Sequence, residues 1–218
     1  MYSRKQRRKF HFLITAGGTR EYIDPVRFIS NASSGKTGYL LAQSAVLAGY
    51  DVTLITAPTS IEPPKGVKII QVQSARDMFG AVKRKFGGCD CLIMAAAVSD
   101  WTPAKPARHK IKKSSSLITL KLKPTQDILK WAGTHKKTNQ VIVGFALEDR
   151  DIKKRAEIKM LDKNMDMIIA NTPSSIGSDQ SKVWIKKADE KWFGLPEMSK
   201  KQIANRLMQI IKQITRAD

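Results

Sequence analysis

Short apolar runs alternate along the chain with longer stretches whose apolar positions recur every three to four residues. His11 to Thr15 (HFLIT), Asp51 to Thr56, Val67 to Val72, Cys91 to Ala96, Val141 to Ala146 and Met165 to Ala170 are near-continuous apolar runs bounded by turn residues. They predict buried strands. Lys36 to Gly49, Ala75 to Phe86, Asp127 to His135 and Ile152 to Lys163 carry the helical period. In the first of these, Leu40, Leu41, Ala45, Val46 and Leu47 are expected on one broad face, with Gly49 as a left-handed stop. Strands that alternate with helices at this spacing predict an α/β fold, a Rossmann-like doubly wound and mostly parallel sheet covered on both faces. Ligands of such sheets bind beyond the carboxyl ends of the strands, so the loops after strands hold the informative residues.

Two pieces break the alternation. Residues 99–123 contain Pro103, Pro106 and a Lys-Ile-Lys-Lys run, then Leu117 to Leu122 with strand-like alternation. This stretch is too polar and too proline-broken for core and reads as a flap. Val183 to Phe193 reads as a hairpin turning at Ala188-Asp189-Glu190, followed by an amphipathic helix from Ser199 to Thr215. The organisation expected is a basic tail over 1–9 and a single domain over 10–218, which suits a chain of 218 residues.

Composition narrows the class. With 42% hydrophobic and 27% charged residues the chain has material for a core, and no window has the unbroken apolar length of a membrane helix. Cys89 and Cys91 stand one residue apart, a poor spacing for a disulfide, and read as reduced thiols of a cytoplasmic protein. The three histidines are scattered and form no zinc pattern. A net charge of +20 invites a polyanion-binding reading, but residues 1–100 carry 14 basic against 7 acidic side chains and residues 101–218 carry 25 against 12. The excess is spread rather than gathered in a stripe. The densest run, Arg4 to Lys9, precedes the first strand and lacks the apolar segment of a signal peptide.

The loops exclude two nucleotide signatures. Ser30 to Thr37 ends in Gly-Lys-Thr, but a phosphate-binding P-loop needs glycine where Ser30 stands, and no strand feeds this loop directly. Its small residues before a helix still suit an anion. Gly17-Gly18 is followed by Thr19-Arg20-Glu21, not by a dinucleotide fingerprint, and Thr56-Ala57-Pro58 replaces the acid that would bind a ribose. Hydride transfer is disfavoured.

Six blocks together resemble bacterial phosphopantothenoylcysteine synthetase: Thr15 to Gly38, Ala95 to Trp101, Lys110 to Lys113, Asp127 to Leu129, Val143 to Glu148 and Lys163 to Asn171. Their order and spacing match closely over about residues 11–172 and loosely beyond. The resemblance implies a ligase of coenzyme A biosynthesis that joins 4′-phosphopantothenate to L-cysteine with CTP through an acyl-cytidylate. It implies magnesium with the triphosphate, no flavin, a homodimer with the flap at the interface, and a decarboxylase supplied separately. As catalytic residues it implies Asn31 at the acyl-nucleotide, Arg27 at an anionic substrate group, and Lys110 on the triphosphate and the charge developing in the transition state. For nucleotide binding it implies Met94, Ala95, Ala96, Asp100, Lys110, Gln126, Asp127, Ile128, Leu129, Phe145, Lys159 and Lys163. Lys159 and Lys163 are four apart and expected on one helix face.

The chain departs from the family pattern in three places. Thr125-Gln126 replaces the usual Asn-Pro, Thr172 an aspartate, and Trp101 a tyrosine. The sequence leaves CTP against ATP, the metal ligands and the purpose of the basic tail open. The competing class is a basic α/β module that binds nucleic acid or another polyanion without catalysis, motivated by charge alone.

Overall fold

The computed structural model describes residues 8–214. In chain order the elements are β1 (His11–Ala16), β2 (Arg20–Tyr22), β3 (Phe28–Ser30), α1 (Lys36–Leu47), β4 (Asp51–Thr56), β5 (Lys68–Gln71) and α2 (Ala75–Phe86). They continue with β6 (Cys91–Met94), β7 (Trp101–Pro103), β8 (Leu122–Pro124), α3 (Ile128–His135), β9 (Val141–Leu147), α4 (Ile152–Asp162) and β10 (Met167–Asn171). After a short 3-10 turn (Pro173–Ser175) come β11 (Gln180–Lys187), β12 (Phe193–Ser199) and α5 (Lys200–Ile214).

One 8-stranded sheet runs in the order β12-β11-β10-β9-β6-β1-β4-β5. From β10 to β5 every neighbouring pair is parallel, and β11 and β12 add an antiparallel hairpin at one edge. The chain moves outward from β1 through β4 to β5, then returns to lay β6 on the other side of β1. That reversal opens a crevice at the carboxyl ends of β1 and β6, where doubly wound sheets take ligands.

The period of two assigns the faces. Phe12, Ile14 and Ala16 of β1, with Val141 and Val143 of β9, pack under α1 and α5. Leu13 of β1 and Ile142 of β9 point the other way, under α2, α3 and α4. Ile14, Leu54, Ile93 and Ile142 are fully buried, and burying each such side chain contributes about 1.5–3 kcal/mol. Close approach of α1 to β1 depends on Gly38, where a Cβ would lie 2.6 Å from the Ala16 Cβ. Gly17 ends β1 at φ +82°, and a Cβ there would meet the Ala57 carbonyl oxygen at 2.8 Å.

Three expectations are corrected. The loop after Gly18 contains a small antiparallel hairpin, β2 with β3. The buried face of α1 is Gly38, Tyr39, Leu41, Ala42 and Ala45, whereas Leu47 is 79% exposed. Two residues past Ala45, Leu47 is turned about 200° from it and cannot share its face. Leu117 to Leu122 is not a strand: only Leu122 joins β8, which pairs with β7, and Leu117 is fully exposed. Its alternation has no second layer to pack against.

Residues 1–7 of the expected basic tail and Thr215 of the last helix lie outside the described residues. Arg8 is described, and its guanidinium pairs with Asp90 and donates to the Gly88 carbonyl at 3.3 Å. Cys89 and Cys91 are free and buried. Burial pushes the Cys89 thiol up to about 12 and Cys91 well above its ordinary range, so both stay protonated at neutral pH. Among the described residues no helix is long and apolar enough to cross a membrane.

Candidate functional site

A cleft of about 430 Å³ opens at the carboxyl ends of β6, β9 and β10. Its floor is the Ala95–Val98 loop after β6, and one wall is the Asn31–Thr37 loop that leads into α1. Phe145 and Leu147 of β9, Lys159 of α4, Asn171 and the Ser175–Gly177 turn close the rest, with Lys200 at the start of α5.

The loops after β1 and β6 are tied to one another. The Ala97 N–H donates to the Gly17 carbonyl at 2.9 Å, and the Thr19 N–H donates to the Ala97 carbonyl at 3.3 Å. Asn31 completes this joint: its amide nitrogen donates to the carbonyls of Ala97 at 3.3 Å and Val98 at 3.2 Å. The side-chain carbonyl of Asn31 has no partner among the described residues, so it remains available at the cleft wall. Both amide hydrogens are taken up in this joint, so Asn31 offers the cleft an acceptor, suited to orienting an amine.

Charge in the cleft is mostly positive. Lys36, Lys159 and Lys200 line it, against one carboxylate, Asp100. The Lys159 ammonium donates to the Phe145 carbonyl at 2.9 Å, a neutral acceptor that leaves its charge uncancelled. Burial holds that ammonium below the ordinary lysine range and Lys163 adds to the effect, while Glu148, Asp100 and Asp127 oppose it. An anion entering the cleft therefore relieves a charge that the fold holds at a cost.

Of the residues expected in the site, Asn31, Ala95, Ala96, Asp100, Phe145 and Lys159 share this cleft. Met94 lies just beneath it, buried, with the Thr15 hydroxyl 3.5 Å from its sulfur. Lys163 is the C-terminal cap residue of α4, its N–H donating to the Lys159 carbonyl at 3.2 Å, and its ammonium pairs with Asp127 at 2.9 Å rather than lining the cleft. Asp127 also caps α3 through the Lys130 N–H at 2.9 Å. Burial raises its carboxyl, but the bonds from Lys163 and Lys130 outweigh this and hold it below the usual range. Ile128 and Leu129 are buried at the start of α3 and Gln126 is exposed; none of the three lines the cleft.

Arg27 and Lys110, both expected in the site, do not line the cleft; Arg27 belongs to a separate assembly with Asp24 and Ile111. Asp24, 1% exposed, accepts from the N–H groups of Val26 and Arg27 at 2.8 Å each, the Arg27 guanidinium at 3.1 Å and the flap's Ile111 N–H at 3.1 Å. Arg27 also donates to the Ile111 carbonyl at 3.1 Å. The flap is thus held to the β2–β3 turn one residue past Lys110, whose exposed side chain has no partner among the described residues.

Burial pushes the Asp24 carboxyl up, but the three backbone N–H groups and Arg27 outweigh it and leave the group below its ordinary value. A depressed carboxyl contributes stability above its unfolded pKa of about 3.9, lost as pH falls through the folded value. We expect the Ile111 amide to be protected from hydrogen exchange at pH 7 and to lose protection, relative to core amides, as pH drops below about 4. Asp24→Asn should lack that acid-dependent loss. An Ile111 amide with the same protection in both proteins at every pH would mean that the carboxylate does not hold the flap.

Sequence reasoning missed Lys200, Asn171 and the Ser175–Gly177 turn. Lys36 carried a signal, its place in the small-residue loop before α1. Lys200 carried none, because it reaches the cleft only through the return of β11 and β12 along the sheet edge.

Comparison with known proteins agrees with this geometry. The chain matches the family described as DNA/pantothenate metabolism flavoprotein C-terminal domain over residues 8–215. It is 44% identical over 211 residues to the coenzyme A biosynthesis bifunctional protein CoaBC of Bacillus subtilis (strain 168), covering 94% of this chain and 52% of that protein. Against the protein of the same name from Borreliella burgdorferi it is 39% identical, covering 91% of this chain and 51% of the relative. The chain spans about half the length of the curated relatives it matches. Among solved structures, the C-terminal domain of the coenzyme A biosynthesis bifunctional protein CoaBC superposes with a TM-score of 0.84 at 36% identity, covering 97% of this chain and 98% of that one. A Cab2 mutant in complex with phosphopantothenate-cysteine shares the fold at a TM-score of 0.79 and 18% identity, covering 94% of this chain and 86% of that one.

Proposed function

Because the chain belongs to the DNA/pantothenate metabolism flavoprotein C-terminal domain family, we propose that it is the ligase that joins 4′-phosphopantothenate to L-cysteine in coenzyme A biosynthesis. The observation that carries this reading is the cleft at the carboxyl end of the sheet, where Asn31 and three lysines face one space. The co-substrate is CTP, and the products are 4′-phosphopantothenoyl-L-cysteine, CMP and pyrophosphate.

The chemistry asks for two steps. A carboxylate oxygen of phosphopantothenate attacks the α-phosphorus of CTP; the new O–P bond forms as pyrophosphate leaves. The cysteine amine then attacks the acyl carbon, CMP leaves with the bridging oxygen, and the amine gives up a proton. In the first step two anions meet, so fixed cations are worth most where charge develops. Lys159 supplies one inside the cleft, and Lys110 brings another on the flap. In the second step the free side-chain carbonyl of Asn31 accepts from the cysteine amine and orients it, and Arg27 faces an anionic substrate group when the flap contact at Ile111 yields it.

Ala95 and Ala96 present backbone to the nucleotide, and Phe145 offers it an apolar edge; Met94, Ile128 and Leu129 support that wall from the core, with Gln126, Asp127 and Lys163 at its margin. Magnesium fits as a companion of the phosphates. Asp100 is the one carboxylate lining the cleft, and among the described residues no cluster of three or more His, Cys, Asp or Glu side chains could cage a metal. Asp100 would supply one protein oxygen and phosphates and water the rest, the pattern magnesium favours. No flavin enters this reaction. The exposed apolar side chains of Val26 and Phe28 on the hairpin, and of Trp101, Leu117 and Leu122 on the flap, support a homodimer through this face.

The test is incubation with 4′-phosphopantothenate, cysteine and either CTP or ATP, with pyrophosphate and ligated product both measured. We expect both to appear together with CTP. Neither product with either nucleotide would contradict the reading.

A further inference from the structure

The three lysines of the cleft are not held alike. Lys159 and Lys200 each donate to a neutral carbonyl, Phe145 at 2.9 Å and Ser175 at 2.8 Å. Lys36, the first residue of α1, instead pairs with the Asp179 carboxylate, whose side chain is 81% exposed. Asp179 also engages the third lysine's backbone, since its carbonyl accepts from the Lys200 N–H at 2.9 Å. One loop residue thus stands between two cations that arrive from opposite parts of the chain.

These groups sense one another. The bond from Lys36 holds the Asp179 carboxyl below its usual range. Burial pushes the Lys200 ammonium down, Lys36 pushes it further, and Asp179 opposes them. An exposed ion pair contributes little to stability, so packing does not account for gathering these charges at a cleft. Three ammonium groups line one cleft against a single lining carboxylate, Asp100, and this arrangement suits an anion that completes it.

We propose that Lys36 and Lys200 grip the triphosphate tail of the nucleotide, and that Asp179 occupies Lys36 until the phosphates replace it. The proposal rests on the nucleotide use assigned above and adds to it the residues that tell a triphosphate from a monophosphate. Asp179 acts through Lys36 and is a positioning residue; the two lysines touch the ligand.

Calorimetric titration of the intact chain with CTP and with CMP, in the absence of other substrates, tests this. Lys36→Gln and Lys200→Gln should each weaken CTP binding by roughly tenfold, the loss of a charge-assisted hydrogen bond, while CMP binding changes little. Lys36→Arg and Lys200→Arg should restore most of the CTP affinity. Asp179→Asn should bind CTP more tightly than the wild type, because no carboxylate competes for Lys36. A wild-type chain that binds neither CTP nor ATP would remove the nucleotide reading and this proposal with it. A wild type that binds CTP, with glutamine variants that bind it equally well or lose CTP and CMP in parallel, would overturn the grip alone. Weaker CTP binding by Asp179→Asn would overturn the competing role of the carboxylate.

Discussion

Lys110→Gln should slow pyrophosphate formation by about 10²- to 10³-fold, the effect of removing one fixed donor from a site of developing negative charge. The flap is held at Ile111 by Asp24 and Arg27, so the neighbouring Lys110 is delivered on an anchored backbone while its ammonium stays free of protein partners among the described residues. Glutamine keeps the length and polarity of the side chain and removes only the charge. Lys112, two residues on and also exposed, is the matched control: Lys112→Gln should turn over like the wild type. Pyrophosphate formed at the wild-type rate by Lys110→Gln would place Lys110 among the solvated surface lysines.

Asn31→Asp should separate the two half-reactions. The amide nitrogen donates to the carbonyls of Ala97 and Val98, and a carboxylate there would face two oxygens at 3.2–3.3 Å with nothing to donate. Leaving two backbone carbonyls opposite a negative charge loosens the joint between the loops after β1 and β6 and misorients the attacking amine. Lys159 and the start of α1, proposed to meet the phosphates, are untouched. We expect activation of phosphopantothenate to persist, ligated product to fall by about 10²-fold, and the acyl-nucleotide to accumulate on the enzyme, detectable by mass spectrometry after acid-free quenching. Normal product yield with no trapped intermediate would remove Asn31 from the mechanism.

Legibility in the sequence followed the physics of burial. The inner parallel strands are buried on both faces and stand out as near-continuous apolar runs, whereas the edge strand β5 carries exposed Lys68 and Gln71; α2, with its Ser74–Asp77 capping box, begins and ends where its pattern indicates. The β2–β3 hairpin does not stand out, because strands of three residues carry no period, and because its buried Glu21 (3% exposed) serves to hold the Ala75 N–H at 2.8 Å rather than to pack. In α1 the run of leucine and valine suggests a wide apolar face, but Leu47 is exposed and the buried face is Gly38, Tyr39, Leu41, Ala42 and Ala45, whose small residues let the helix lie close on β1.

The site was legible where loops follow strands and obscure where distant chain segments meet. Asn31, Ala95, Ala96, Asp100, Phe145 and Lys159 lie in such loops, at strand ends or on the helix beside them. Lys200 reaches the cleft only because β11 and β12 double back along β10, and Asp179 meets it through the loop that leads into β11. No local spacing encodes that return. Likewise Lys159 and Lys163 are neighbours with different partners: one lines the cleft, and the other pairs with Asp127 at the end of the helix.

The most direct test of the ligase account follows oxygen. With both carboxylate oxygens of 4′-phosphopantothenate labelled with oxygen-18, attack on the α-phosphorus of CTP and release by cysteine must leave one label in CMP and one in the amide product. We expect labelled CMP and unlabelled pyrophosphate, in equal amounts with product. Unlabelled CMP, or label in inorganic phosphate, would contradict passage through an acyl-cytidylate.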